Sequence, residues 1–292
     1  MKRKIKNVLA AAVYFLYEKG ILCSRIKVHT IDETIDELLH TGKSMVRFGD
    51  GEIVMIRGVD LMLQQAAPEI GEGLASILAY RHDDLMVTIP DIFRTLSDHR
   101  KASRQFWKDH LLFNRKTYER YCNRNRVYGS TFVSRCYYFA GDSSRCDRWF
   151  VKIRKIWENK NIVVVEGTRT HNGVGNDLLD TAAGIERIIC PPSNAYGALP
   201  EILSACEQYD KDRLFLLSVG VAAKFLAVEL FQRGYRVLDI GNMDMEYEWY
   251  LRKATDKTTL AKHSIAGEEA NRQAAAHNEA YARYLEQVKV WL

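Results

Sequence analysis

The second half of the chain alternates short apolar runs with amphipathic stretches. Lys160–Glu166 holds three consecutive valines (Val163, Val164, Val165), and further apolar runs follow at Arg187–Cys190, Arg213–Gly220 and Tyr235–Gly241. Runs that lack a polar face suit strands covered on both sides. Leu178–Gly184, Pro200–Tyr209, Val221–Arg233 and Asp244–Lys253 lie after these runs and read as helices. Strict β-α alternation predicts an α/β fold, a mostly parallel sheet with helices on both faces. In such sheets ligands sit at the carboxyl ends of the strands.

The first half is less regular. Thr30 with Glu33 three residues later has the spacing of a capping box, and Gly42 closes the helix it opens. Ser44–Ile56 places two apolar runs around a Gly49-Asp50-Gly51-Glu52 turn, read as strand, turn, then strand or helix. Gly71–Arg81 reads as helix, Asp84–Pro90 as an alternating strand and Val127–Phe139 as another strand. Between them, Phe93–Asn125 interleaves basic residues, Arg94 and Arg104 among them, with aromatics. That mixture can bind single-stranded nucleic acid. Phe106, Leu111, Tyr118 and Tyr121 recur near helical spacing, so amphipathic helices explain it better.

Both ends predict extra helices. Lys2, Arg3, Lys4 and Lys6 precede a short apolar run in which Ile5, Val8, Leu9, Ala12 and Leu16 recur at helical spacing. This amphipathic helix, within residues 1–29, is assigned to packing on the domain. Its alternative role is peripheral contact with the inner face of a membrane, which one such helix achieves only marginally. Residues 267–292 read as a terminal helix through Ala270, Ala274, Tyr281, Leu285 and Val288, packed on the domain or paired with another subunit in a homo-oligomer.

Composition narrows the class. A chain of 292 residues, 47% hydrophobic and 27% charged, matches an ordinary soluble protein, here read as one domain. A net charge of +5 suits an anionic ligand without demanding nucleic acid. The six cysteines form no Cys-x-x-Cys pair and have no His partner at zinc spacing, as expected of reduced thiols in a cytoplasmic protein.

Candidate chemistry lies in the loops. Asp50 and Glu52 are carboxylates two positions apart, and on an extended or tightly turned segment both can face one divalent cation. Gly49 and Gly51 leave room for a ligand, and Arg47 suits bidentate contact with phosphate. Asp-Gly between apolar runs is equally a hairpin signal. Gly173-Val174-Gly175-Asn176-Asp177 is placed to open a helix and offer backbone N–H groups to phosphate. Asn194 and Tyr196 could hold a base or ribose. Asp244, Glu246 and Glu248 supply carboxylates after the last strand, with helix-dipole stabilisation as their structural alternative. Neither a G-x-G-x-x-G after a strand nor a P-loop is present, which disfavours nicotinamide enzymes and P-loop NTPases.

Four motifs, SMVRFGDGE (Ser44–Glu52), EGTRTHNGVGNDLL (Glu166–Leu179), RIICPPSNA (Arg187–Ala195) and GYRVLDIGNMDMEYEW (Gly234–Trp249), resemble the GT-D type glycosyltransferases, first catalogued as a domain of unknown function. The resemblance implies one Rossmann-like domain in which Asp50 and Glu52 match a metal-binding Asp-x-Glu motif. It implies Mn²⁺ or Mg²⁺ and a nucleotide sugar, typically a UDP-hexose such as UDP-glucose or UDP-galactose. The acceptor would be a glycan, glycolipid or glycoprotein in bacterial-type surface-glycan synthesis. Glu246, ahead of Asp244 and Glu248, is the expected base if the anomeric centre inverts. Two departures stand out: Gly220-Val221-Ala222-Ala223-Lys224 replaces a frequent Gly-Pro-Thr loop, and Asn242 replaces a frequent His. The competing reading is a non-catalytic nucleotide- or carbohydrate-binding partner in glycan assembly.

Overall fold

The computed structural model describes residues 2–22, 26–93 and 95–292, with the side chains of residues 2–4 left out. Cys23 and Arg94 lie outside the described residues. Helix α1 (Lys2–Glu18) is followed by β1 (Lys27–Val28) and α2 (Ile31–Thr41), which has the expected capping box at Thr30 and a left-handed Gly42 at its end. Then come β2 (Ser44–Arg47), α3 (Asp50–Met55), α4 (Pro68–Ala79), β3 (Leu85–Ile89), α5 (Lys101–Tyr121) and β4 (Val127–Ser130). After α6 (Cys146–Lys155), the second half runs β5 (Asn161–Gly167), β6 (Gly184–Cys190), α7 (Leu199–Cys206), β7 (Leu214–Ser218), α8 (Ala222–Gln232), β8 (Arg236–Asp239) and α9 (Met243–Leu251). The chain ends in α10 (Gly267–Ala275), α11 (Glu279–Gln287) and β9 (Val288–Trp291).

The strands form one sheet in the order β1-β4-β3-β2-β8-β7-β5-β6-β9, and the described pairings are all parallel. The pleat divides β5 between two cores. Val163 and Val165 pack with the α8 residues Leu226 and Ala227, while Ile162 and Val164 face Trp157 and Leu178 on the other side. Helices cover both faces, as the apolar runs require.

The strand order also defines a seam. Strands of the first half lie to one side, those of the second half to the other, and β2 meets β8 at Met45 and Leu238. The loops that leave β2 and β8 diverge there, opening a crevice at their carboxyl ends.

Four segments differ from the sequence reading. Residues 178–183 are turns rather than a helix, held by the Trp157 indole N–H donating to the Leu178 carbonyl at 3.0 Å. The strand expected over Val127–Phe139 stops at Ser130, where the Ser130 hydroxyl starts a 3-10 turn. The C-terminal segment is two short helices and an edge strand, β9 adding beside β6, not one helix. The fourth is α1: its inward face is Ala10, Tyr14 and Tyr17, and the stripe Ile5, Val8, Leu9 and Ala12 faces outward. Among the described residues no helix is long and apolar enough to cross a membrane. The five described cysteines are buried and unpaired with one another.

Candidate active site at the seam of the sheet

Strand β2 ends at Arg47, Phe48 is buried, and Gly49 caps α3 with extended backbone. Asp50 and Glu52 therefore occupy the first turn of a helix. Positions i and i+2 diverge there, so the extended-segment argument for a shared ion does not hold. Glu52 turns inward. Its Oε2 accepts from the Gly49 amide at 2.7 Å and its Oε1 lies 2.9 Å from Lys224 Nζ. Asp50 stays exposed.

Lys224, in the first turn of α8, is 1% exposed and binds two carboxylates, Glu52 and Asp239, the latter at 3.0 Å. It also donates to the Gly220 carbonyl at 3.1 Å. Asp239, the last residue of β8, accepts from the Arg47 amide at 3.3 Å and lies 3.9 Å from Arg47 Nε. Burial pushes the Glu52 carboxyl up, but the Lys224 and Arg47 charges overcome it and hold it at about 2. The seam is thus closed by a buried network of two cations and two carboxylates.

Arg47 needs a second accommodation. A Cβ on Gly241, which has φ +50°, would lie 2.4 Å from Arg47 Nη2, so only glycine lets the guanidinium cross that backbone. Gly51 serves packing: a Cβ there would meet Leu61 Cδ1 at 3.1 Å.

Around Asp50 the charges are mixed. Although Asp50 reaches solvent, the protein around its carboxyl displaces part of its hydration, and this with the Glu52 charge raises it above the ordinary value, against the pull of Arg135 and Arg47. Arg135, after β4, is fixed by Glu246 at 3.0 Å. Glu246 is fully buried, and its other oxygen accepts from the Tyr137 and Tyr138 amides at 3.1 and 2.7 Å. Burial raises its carboxyl, with Arg135 opposing. Lys257 lies over the ring of Tyr138, whose amide binds Glu246, with its Nζ 4.9 Å from the ring centre.

Asp244 and Glu248, four residues apart on α9, face away from Glu246. Asp244 accepts from the Gly173 amide at 2.8 Å and the Asn176 amide group at 2.9 Å, and Lys262 lies 2.6 Å from it. Glu248 binds Asn176, Lys262 and Arg252. Asp177 is held by the Tyr247 hydroxyl and Arg154, both at 2.6 Å. The loop 173–177 is therefore clasped to α9 and opens no helix. Its Gly173 amide is already engaged, and the left-handed φ of Gly173 and Gly175 serves the loop's turns. Asn194 likewise anchors a neighbouring loop: its amide donates to the Leu63 carbonyl at 2.7 Å and its Oδ1 accepts from Gln65 at 2.9 Å. The Tyr196 ring sits edge-on to Phe225 at 4.8 Å.

All these residues lie at the carboxyl edge of the sheet, but Arg47, Asp50, Glu52, Lys224, Arg135 and Glu246 form a cluster separate from the α9 clasp. Sequence reasoning missed Lys224, Arg135, Lys257 and Lys262 as functional positions. Lys224 carried one signal: a lone cation inside the apolar run Ala222–Ala227 must be buried against a carboxylate. Beside the cluster, a cavity of about 320 Å³ shares Arg135 as a wall, and Asp98, His99, Arg104, Phe132, Phe139 and Trp149 line it further out.

Such an edge, with an open carboxylate flanked by fixed guanidinium groups, suits a phosphate-bearing ligand. The family model for the glycosyltransferase GT-D fold matches residues 45–268. The chain belongs to the GT-D glycosyltransferases. Among solved members, one described as a new glycosyltransferase from Streptococcus sanguinis is 36% identical with a TM-score of 0.81, covering 91% of this chain and 99% of that one. A second, described as a domain of unknown function with a distinct glycosyltransferase fold, is 33% identical with a TM-score of 0.83, covering 96% and 98%. A probable glycosyl transferase of Streptococcus gordonii is 40% identical over 242 residues, 82% of this chain and 35% of its own length. The glycosyltransferase GlyD of Streptococcus pneumoniae is 40% identical over 241 residues, 82% of this chain and 30% of its own. The chain thus spans about a third of the length of these curated relatives.

The cluster at this GT-D site offers a metal ion at most one free carboxylate. Among the described residues no group of three or more His, Cys, Asp or Glu side chains is gathered around an ion-sized space. Glu52 already has both oxygens on donors, Lys224 and Gly49. Asp50 is open, and one carboxylate with substrate phosphate oxygens is a common way to hold Mg²⁺ or a similar hard cation.

Proposed function

We propose that this glycosyltransferase moves a hexose from a nucleotide sugar, UDP-glucose or UDP-galactose, to a hydroxyl of a glycan, glycolipid or glycoprotein acceptor in surface-glycan synthesis. The observation that carries the reading is the exposed Asp50 at the β2–β8 seam, in the field of Arg47 and Arg135, whose guanidinium groups lie 3.9 and 3.0 Å from the buried carboxylates of Asp239 and Glu246. Breaking the sugar–phosphate bond develops negative charge on the departing diphosphate. Arg47 and Arg135, held in place before substrate arrives, stabilise that charge without reorganising. A divalent cation, Mn²⁺ or Mg²⁺, held by Asp50 adds Lewis-acid stabilisation of the same charge when bound. Glu52 acts from behind, keeping the cap of α3 and Lys224 in register.

Glu246, first choice for the base from the sequence, has one oxygen on two backbone amides and the other in an ion pair with Arg135. Its geometry supports positioning of Arg135 over proton abstraction. Asp244 and Glu248 belong to the clasp, so their geometry supports holding the 173–177 loop. The cavity beyond Arg135 is the acceptor's approach in this reading, because its aromatic and polar lining suits sugar faces and hydroxyls.

The test is release of UDP from UDP-glucose and UDP-galactose by the purified chain, with Mn²⁺ and with chelator. Metal-dependent release is expected. A chain that binds UDP but releases none from either donor would instead be the non-catalytic partner. A second expectation arises at Gly241. Gly241→Ala forces Arg47 aside, and misplacement of such a group costs about 10²-fold in turnover. Donor kinetics should show this beside a lowered melting temperature, because the left-handed φ of Gly241 strains an alanine, and wild-type kinetics would remove Arg47 from the site.

A further inference from the structure

Helix α1 is amphipathic in the unexpected sense, because its apolar stripe is its outer face. Ile5, Val8, Leu9 and Phe15 are 54%, 68%, 54% and 52% exposed, while Ala10, Tyr14 and Tyr17 pack inward. The patch continues onto α5, which lies against α1. Phe113 and Phe106 are exposed there, and Lys6 reaches over the Phe113 ring at 5.8 Å while pairing with Asp109 at 2.5 Å. Scattered surface apolar residues need no explanation, but a continuous stripe of large ones does.

Charge selects the occupant. Within residues 1–20 the sequence places Lys2, Arg3, Lys4, Lys6 and Lys19 against Glu18 alone. A second copy would bring the same positive charge to the interface. A bilayer rich in anionic headgroups offers the opposite charge, with acyl chains beneath for the apolar side chains. The Lys6 and Lys19 ammonium groups stand over the Phe113 and Phe15 rings at 5.8 and 5.6 Å, which puts positive charge directly beside the apolar patch.

We propose that the outer face of α1, extended by Phe106 and Phe113 of α5, docks on an anionic membrane surface, lying in the interface without crossing it. This goes beyond the transfer reaction and does not depend on it. Flotation of the full chain with phosphatidylcholine vesicles, and with phosphatidylcholine mixed with phosphatidylglycerol, tests it at low and high salt. Binding is expected on the mixed vesicles only, weakening as salt rises. The double variant Val8→Glu/Leu9→Glu changes exposed positions, so it should melt as wild type does and lose about tenfold or more in binding. A Phe15→Trp reporter gives a second reading that needs no disruption: its emission should shift to the blue on mixed vesicles alone. No flotation with mixed vesicles, equal binding to both kinds, or binding indifferent to the double variant would overturn the proposal. So would a dimer in sedimentation that the double variant dissolves.

Discussion

Lys224→Met lowers the melting temperature by about 10 °C at neutral pH. The substitution keeps the volume of the side chain but leaves Glu52 and Asp239 buried without their shared cation. Breaking a buried pair from one side costs about 3–5 kcal/mol, and each kcal/mol moves the transition of a chain near this size by roughly 2–4 °C. The effect has a pH signature. In the wild type, Glu52 is held at about 2, below its ordinary value of 4.5, so its contribution is complete above the ordinary value and fades as pH falls toward 2. In the variant, burial without Lys224 raises the same carboxyl, so protonation relieves the strain. The gap between the two proteins should therefore begin to narrow above pH 4.5, as the variant's carboxyl takes up its proton, and go on narrowing toward pH 2 as wild type loses its own contribution. Melting curves across that range check it. A variant as stable as wild type, or a gap that widens in acid, would mean that Lys224 is not the partner of these carboxylates.

Asp50→Asn leaves the fold in place and lowers donor turnover by about 10²–10³-fold, the scale on which loss of one charge-stabilising group acts. Asp50 opens α3 on the solvent side, where a neutral amide loses only about 0.3–1 kcal/mol of dipole interaction. The functional loss comes from the weaker affinity of an amide for a hard cation. Near wild-type turnover in Asp50→Asn would remove this carboxylate from the reaction.

Much of this architecture was legible because parallel strands leave a plain trace. Val163–Val165 and the apolar runs of β7 and β8 are buried on both faces, and no other element needs such runs. Glu33 and Gly42 likewise fixed both ends of α2 by local chemistry. The terminal segment was not legible, because β9 is made by its place beside β6 and not by its own pattern. Residues 173–183 misled for a related reason. Glycines before an apolar run imitate a helix start, whereas the Gly173 amide is bound by Asp244, 71 residues further on.

The site was read in part. Arg47 and Asp50 stand out locally, since a turn rich in Gly with adjacent charges suggests a ligand. What their neighbours do depends on contacts across the seam. Glu52 finds Lys224, and Glu246 finds Arg135, over separations that no local pattern encodes. The outward stripe of α1 shows the same limit: periodicity reports that a helix has an apolar face, not where that face points.

The most direct test of the central claim, that Asp50 and its flanking arginines form a metal-assisted diphosphate site, is a set of calorimetric UDP titrations. Wild type and Asp50→Asn are each titrated with Mn²⁺ and with chelator. Wild-type affinity should fall when the metal is removed, while the Asp50→Asn affinity should be weak and the same in both conditions. Wild-type binding that ignores the chelator, or a variant that keeps the full metal-dependent gain, would contradict the account.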